Sequence, residues 1–291
     1  MRNFFLKDYV LRISSLVKER IMQRPFSQDE TLCRLAAIRV FAIDMDGTIY
    51  LGNNLFPFTR DFLAALSLRQ RDFLFVTNNS SRSAGDYRMK LRRMNLEVPA
   101  QKIYTSGDAT IEYLRSANLG RRLFVLGTRS LHESFLEARF EIDPVFPEVV
   151  VLGFDTSLSY EKIDAAARHI RRGVPFIATH PDLNCPIDGG EMMLDCGAMA
   201  AALTAATGRA PVYIGKPHAP MIDGMLRRAG CRREEIALIG DRLTTDIRSG
   251  VDHGIFSILV LTGETKLHDL KNSAIHPDLV VERIVDLLDY L

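Results

Sequence analysis

Two aspartates set two residues apart open the chemistry of this chain: Asp44 and Asp46, in Phe41-Ala-Ile-Asp-Met-Asp-Gly-Thr48. Side chains of an extended segment alternate with a period of two, so both carboxylates can project to one side as a strand ends. Such a pair can divide labour, with one ionised carboxylate attacking and a protonated one delivering its proton to a leaving group. Gly47 lets the backbone turn close to a ligand, and its amide can reach a phosphate oxygen. An ordinary turn would use Asp, Gly and Thr as well. Acids set directly after a buried strand nevertheless cost free energy unless a metal or hydrogen-bond donors compensate.

A second acid follows an apolar run at Gly240-Asp241, and Asp246 falls near the start of the next helical pattern. Asp241 can join Asp44 around one hard cation such as Mg2+, which takes oxygen ligands. Asp246 either complements a helix dipole or orients Lys216, in Tyr213-Ile-Gly-Lys-Pro217. An ammonium group at 216 can neutralise phosphate charge and hold a nucleophilic carboxylate ionised. Thr77-Asn78-Asn79-Ser80-Ser81 places hydroxyls and amides at a further strand end. That run suits an anion near a helix N-terminus, or simple N-capping. Taken together the segments supply a nucleophile, a proton donor, a cation site and an anion clamp.

The elements that must position these groups read as short apolar runs. Ile38–Ile43 ends at Asp44, Phe73–Val76 at Thr77, Ile236–Ile239 at Gly240-Asp241, and Phe256–Leu261 at Thr262-Gly263. Helix-length segments between such runs predict a doubly wound parallel α/β sheet, which binds ligands at the carboxyl ends of its strands. Between the second and third runs lie strand-like Leu123–Leu126, Val149–Leu152 and Phe176–Ala178, with helical Leu131–Arg139 and Tyr160–Arg172. This pattern predicts an α/β unit inserted over residues 117–209, within a core formed by 38–116 and 210–291. Ahead of it, residues 1–37 form an extension. Apolar positions from Leu6 to Ile21 recur at helical spacing, predicting an amphipathic helix over residues 1–24 that docks a partner or packs on its own domain.

With 37 basic and 36 acidic residues in 291, no broad field favours a nucleic-acid polymer or an anionic membrane. An apolar share of 47% excludes global disorder. The longest apolar stretches fall far short of the roughly 20 residues a membrane-spanning helix needs. Cys33, Cys185, Cys196 and Cys231 form no CxxC pair, and the N-terminus lacks a signal peptide's clean apolar core, so a cytoplasmic protein with free thiols is expected. There is no GxGxxG, GxxxxGK[ST], GxSxG or HExxH segment.

The four segments, in this order, resemble the haloacid dehalogenase superfamily of phosphohydrolases. Asp44-Met-Asp-Gly-Thr48 matches its first motif, Thr77-Asn78 the second, Lys216 the third, and Gly240-Asp241 with Asp246 the fourth. The long insertion resembles the larger α/β (C2-type) cap of the NagD-like, p-nitrophenyl phosphatase-like subgroup. Thr179-His-Pro-Asp-Leu-Asn-Cys-Pro-Ile-Asp-Gly189 is similar to a cap segment of that subgroup, with His180 where Asn is more usual. The resemblance covers about residues 38–291 and implies a Rossmann-like core with an inserted cap. It implies Mg2+-dependent hydrolysis of a phosphomonoester through an aspartyl-phosphate on Asp44, with Asp46 as acid and then base. Thr77, Asn78 and the backbone amides of Met45 and Gly47 would hold the phosphoryl group, and Lys216 would balance charge. The cation would sit on the Asp44 carboxylate, the Asp46 main-chain carbonyl and Asp241.

Its implied substrates are small phosphorylated metabolites: nucleotide monophosphates, sugar phosphates, phosphoglycolate or pyridoxal phosphate. His180 and Asp182 are the candidates for leaving-group recognition, and the cap surface or first helix offers a contact for a homodimer. Two other readings keep the fold: a carbon–halogen or phosphonate hydrolase, and a non-catalytic phosphometabolite-binding or regulatory protein. Asp46 argues against the first, because a proton donor serves an alkoxide leaving group and not a halide. The intact acidic set argues against the second.

Overall fold

The computed structural model describes residues 28–186 and 191–291. The helix expected over residues 1–24 and the cap-segment residues 187–189 lie outside them. The chain enters the described part through α1 (Gln28–Ala37) and builds one half of a sheet. That half contains β1 (Val40–Ile43), a short pair β2 (Tyr50–Leu51) and β3 (Asn54–Leu55), α2 (Thr59–Leu68), β4 (Asp72–Thr77), α3 (Ala84–Arg93), β5 (Ile103–Thr105) and α4 (Ser106–Ala117). A second unit follows with β6 (Arg122–Leu126), α5 (Arg129–Glu137), β7 (Glu141–Ile142), β8 (Val149–Leu152), α6 (Tyr160–Arg171) and β9 (Phe176–Ala178). It continues through β10 (Asn184–Pro186), β11 (Met192–Leu194), α7 (Cys196–Thr207) and β12 (Val212–Tyr213). The chain then returns to the first sheet with α8 (Ala219–Ala229), β13 (Ile236–Gly240), α9 (Arg248–His253), β14 (Phe256–Val260) and β15 (Leu279–Val281).

The first sheet is parallel throughout, in the order β15-β14-β13-β1-β4-β5. Its strands are predominantly apolar because both faces are covered. Alternate residues prove the point: Phe41, Ile43, Phe75 and Ile239 join one cluster with Leu35, Phe62, Leu66 and Leu91 from α1, α2 and α3. Val40, Ala42, Leu74, Val76 and Leu238 join another with Ala109, Leu114, Met221 and Met225 from α4 and α8. Helix starts obey local rules as well. Ser83 and Asp86 form a capping box at α3, as Thr105 and Asp108 do at α4.

Register decides where the chemistry lands. Ile43 stands level with Ile239 on one side and Phe75 on the other. Asp44, Thr77 and Asp241 therefore emerge at one edge of the sheet, where β1 divides β4 and β5 from β13, β14 and β15. A crevice at such a switch point is where open α/β sheets bind ligands. The doubly wound parallel architecture expected from the sequence is the one observed.

The second sheet is also parallel, in the order β12-β9-β8-β6-β7. One face packs on α6 and α7, and the residues of the other (Leu123, Val125, Val149, Val151, Ile177) merge with the apolar cluster under the first sheet. One expectation needs correction. The sequence pattern places residues 210–291 in the first unit, yet Val212 and Tyr213 pair with Ile177 and Ala178 in the second sheet. A two-residue edge strand with Val212 exposed has no apolar run by which sequence could mark it. No helix among the described residues is long and apolar enough to cross a membrane.

Candidate active site

Lys216 leaves the second sheet three residues beyond β12 and runs, almost wholly buried, into the crevice of the first. Its ammonium donates to Asp44 Oδ1 and to Asp246 Oδ1, each at 2.6 Å, and to the carbonyl of Val76 at 3.3 Å. Burial alone would lower the lysine's pKa, but Asp246 and Asp44 overcome it and raise the value, so Lys216 is held charged. Asp44 is raised well above the usual carboxylate range, first by burial and then by Asp246 and Asp241, while Lys216 pulls it down. Asp241 is pushed up to about 7, by burial and by Asp246.

The one ammonium pairs with two of the three carboxylates gathered here. The carboxylate oxygens of Asp44, Asp241 and Asp246 lie within 4.8 Å of one another. Both oxygens of Asp246 are engaged, one by Lys216 and the other by the Arg242 amide at 3.3 Å. Asp241 differs: Oδ2 accepts from the Glu264 amide at 2.6 Å, but Oδ1 is buried without a hydrogen-bond partner. A buried, unpartnered carboxylate oxygen beside two other acids is the donor set a hard divalent cation requires, so the residues fit Mg2+.

The turn after β1 is built for close approach to that acid. Gly47 adopts φ +81°, and a Cβ there would stand 2.5 Å from Asp241 Oδ2. Gly263, on the opposite loop, is closed off by the same carboxylate. Thr262 Oγ1 donates to the Gly47 carbonyl at 2.6 Å and ties the two loops. The Gly47 amide, expected to face a phosphate oxygen, donates instead to the Tyr50 carbonyl at 2.8 Å and closes the turn. Met45 is buried in the core. Asp46 is exposed, bridging to Tyr50 through the backbone. It also lies within electrostatic reach of Cys185 in β10, whose thiol is pushed up to about 11 by burial and further by Asp195, Asp46 and Asp182.

Thr77 closes β4, its Oγ1 accepting from the Asn79 amide at 3.2 Å. The N-capping reading of this run fails, since Ser83 performs that task. Asn78 is corrected more sharply. Its Nδ2 donates to the Lys216 carbonyl at 3.0 Å and to Asp182 at 3.2 Å, while Oδ1 accepts from the Lys216 amide at 2.7 Å. With both side-chain N–H groups committed, the Asn78 amide braces the lysine and has no side-chain donor left for a phosphoryl oxygen.

His180 and Asp182, paired by sequence, part company. His180 is fully buried, Nδ1 bonded to Thr179 Oγ1 and Nε2 to Asp195 Oδ1, both at 2.9 Å. It cannot read a leaving group, because both ring nitrogens already have partners inside the second unit. Asp182 does face the crevice, with Asn78 and the Arg242 guanidinium as neighbours. Arg242 and Glu264 were not singled out by sequence, although each stands directly after a residue that was, Asp241 and Gly263. They form an ion pair of 3.1 Å.

Family profiles place this geometry. The profile of the haloacid dehalogenase-like hydrolases matches residues 41–141, and that of the HAD-hydrolase-like family matches 213–287. The chain belongs to the haloacid dehalogenase-like hydrolases. An acid sugar phosphatase of Staphylococcus aureus is 32% identical over 240 residues, 82% of this chain and 92% of that protein. Among solved structures of these hydrolases, a 4-nitrophenylphosphatase from Thermotoga maritima matches with a TM-score of 0.85 and 42% identity, over 88% of this chain and 98% of the other. NagD from E. coli K-12 matches with a TM-score of 0.79 and 30% identity, over 86% and 98%. These neighbours fall in the NagD-like, p-nitrophenyl phosphatase-like group anticipated from the motifs, and the enzyme class expected of the chain, a phosphatase, is theirs.

Proposed function

We propose that this protein is a Mg2+-dependent phosphomonoester hydrolase that acts through an aspartyl-phosphate on small phosphorylated metabolites. The observation that carries the reading is the Asp44 carboxylate, held at 2.6 Å by a buried lysine beside an acid whose inner oxygen has no partner. The Asp44 oxygen not bonded to Lys216 attacks phosphorus, and the bond from phosphorus to the leaving oxygen breaks. Asp46, exposed at the mouth, donates its proton to that oxygen as it departs. In the second step Asp46 takes a proton from water, the water oxygen bonds to phosphorus, and the acyl-phosphate bond breaks to return Asp44 and release phosphate. Dividing one difficult displacement in two is the gain of covalent catalysis.

Lys216 opposes the effect of burial on Asp44, and Asp246 keeps Lys216 aimed. The Asp44 and Asp241 carboxylates with the Asp46 carbonyl would hold Mg2+, which when bound supplies positive charge to the phosphoryl oxygens. The second unit acts as a cap that covers the crevice and excludes water. A net charge of +1 supports a small substrate and not a nucleic-acid polymer.

A panel of sugar phosphates, nucleotide monophosphates, phosphoglycolate, pyridoxal phosphate and p-nitrophenyl phosphate, assayed with Mg2+ and with EDTA, tests the proposal. Turnover should require the metal, and Asp44→Asn should reduce it by about a thousandfold or more. Near-wild-type hydrolysis by Asp44→Asn would sink the mechanism.

A further inference from the structure

Asp182 belongs to the second unit, in the segment between β9 and β10, yet its carboxylate makes its contacts in the first. Both oxygens lie 3.2 Å from Asn78 Nδ2, and one lies 3.8 Å from the Arg242 guanidinium. The acid's side chain is 10% exposed and the arginine's 21%, so water screens the pair only weakly.

Two routes lead on from this one carboxylate. Through Asn78 the first reaches the backbone of Lys216 on both sides, at 2.7 and 3.0 Å, and so the ammonium that holds Asp44. The second passes through Arg242 to the Glu264 carboxylate at 3.1 Å. The backbone N–H of that same Glu264 holds Asp241 Oδ2 at 2.6 Å. Lys216 is thus braced by a residue that the Asp182 carboxylate engages, and Asp241 by one that lies a further ion pair away. Both Asp182 oxygens face protein donors of the first unit.

We propose that Asp182 is a positioning residue for the phosphoryl transfer: docking of its loop fixes Asn78 and Arg242, and through them Lys216 and Asp241. The kinetic part of this proposal rests on the phosphatase reading; the docking part does not. Cys185, three residues further on, shares the surroundings of Asp182, Asp46 and Arg242 and reports on docking by its access to a thiol reagent.

The experiment uses the full chain carrying Cys33→Ser and Cys231→Ser, with Asp182→Ala, Asp182→Asn, Arg242→Ala and the double Asp182→Ala/Arg242→Ala. Labelling of Cys185 should accelerate several-fold in each alanine variant while buried Cys196 stays protected. On p-nitrophenyl phosphate with Mg2+, kcat should fall by roughly tenfold to a hundredfold with KM nearly unchanged, the signature of lost alignment and not of lost binding. The double variant should lose less than the product of the two single effects, because the two residues share one of the two routes. Asp182→Asn keeps the volume without the charge and carries the test should Asp182→Ala expose Cys196. Unchanged Cys185 labelling, a raised KM at constant kcat, or multiplicative effects would each overturn the proposal. Faster labelling in a protein that hydrolyses no phosphate would sink the phosphatase reading and leave the docking contact standing.

Discussion

Two clusters in this molecule share the same ingredients and reach opposite ends. Asp44, Asp241 and Asp246 gather at the carboxyl edge of the first sheet; His180, Asp182 and Asp195 gather in the second unit; each group brings its ligand atoms within 4.8 Å. Burial does not separate them, since His180 is as buried as any acid of the first cluster. Satisfaction does. Every polar atom of the His180 side chain has a partner, and Asp195 Oδ1 also receives the Cys196 amide at 2.6 Å, capping α7. In the first cluster, Asp241 Oδ1 has none, and the one lysine pairs with only Asp44 and Asp246. A buried network with its hydrogen bonds complete rigidifies a fold, whereas an incomplete one marks a place for something else to bind.

Lys216→Met should break the first cluster most severely after loss of Asp44 itself. Turnover should fall to background, and stability should drop by about 3–5 kcal/mol at neutral pH, because two buried carboxylates lose the ammonium that pairs with both. The sign with pH follows. Without the lysine, nothing opposes the rise that burial imposes on Asp44, so folding favours its protonated form. The deficit is therefore fully present at neutral pH and shrinks as pH falls towards 5. Urea titrations in EDTA at pH 7.5 and pH 5 measure it, and an equal deficit at both would contradict the assignment.

Asp241→Asn should act next most strongly, and on the metal. Half-maximal activity should require about tenfold more Mg2+ or beyond, since one ligand charge is gone. The rise in Tm that Mg2+ confers on the wild type should shrink in parallel, a reading independent of turnover. A variant with unchanged Mg2+ response would move the cation site away from the unpartnered oxygen.

The reasons why the first cluster was legible and the second was not are physical. Asp44, Thr77 and Asp241 each end an apolar run, and a buried parallel strand shows such a run whatever its neighbours. Their convergence follows from topology, because strands in register bring their ends together. Val212 and Tyr213 carry no such mark, being a short edge pair, so the border of the second unit came out four residues early. His180 misled for a different reason. A polar residue at a departure from a familiar segment invites a functional reading, while its actual partners, Thr179 and Asp195, emerge only when β9 and α7 pack. Arg242 adjoins a singled-out acid, yet its worth depends on Asp182 and Glu264, far away in the chain.

His180→Ala should therefore separate the clusters by kind of effect. Removing the ring strips partners from Thr179 and Asp195 and opens a cavity, a loss of about 3–4 kcal/mol by large-to-small and unpaired-polar estimates. Activity per folded molecule at 25 °C should stay within about twofold, as the ring touches nothing in the crevice. Thermal unfolding and active-site-normalised rates give the two readings.

His180→Asn presses the comparison furthest with the smallest change. Asparagine is the more usual residue at this point in the related cap segment, and its amide is shorter than an imidazole. It can bond one of the two flanking oxygens but cannot span both, so about 1 kcal/mol should be lost, the net worth of one hydrogen bond. If His180 were a purely internal brace, KM values across a series of leaving groups should keep their rank order and their ratios. A shift confined to bulky leaving groups, with stability unchanged, would return His180 to the substrate and join the two clusters into one site. The full burial of the ring and its two bonds of 2.9 Å argue for the first outcome.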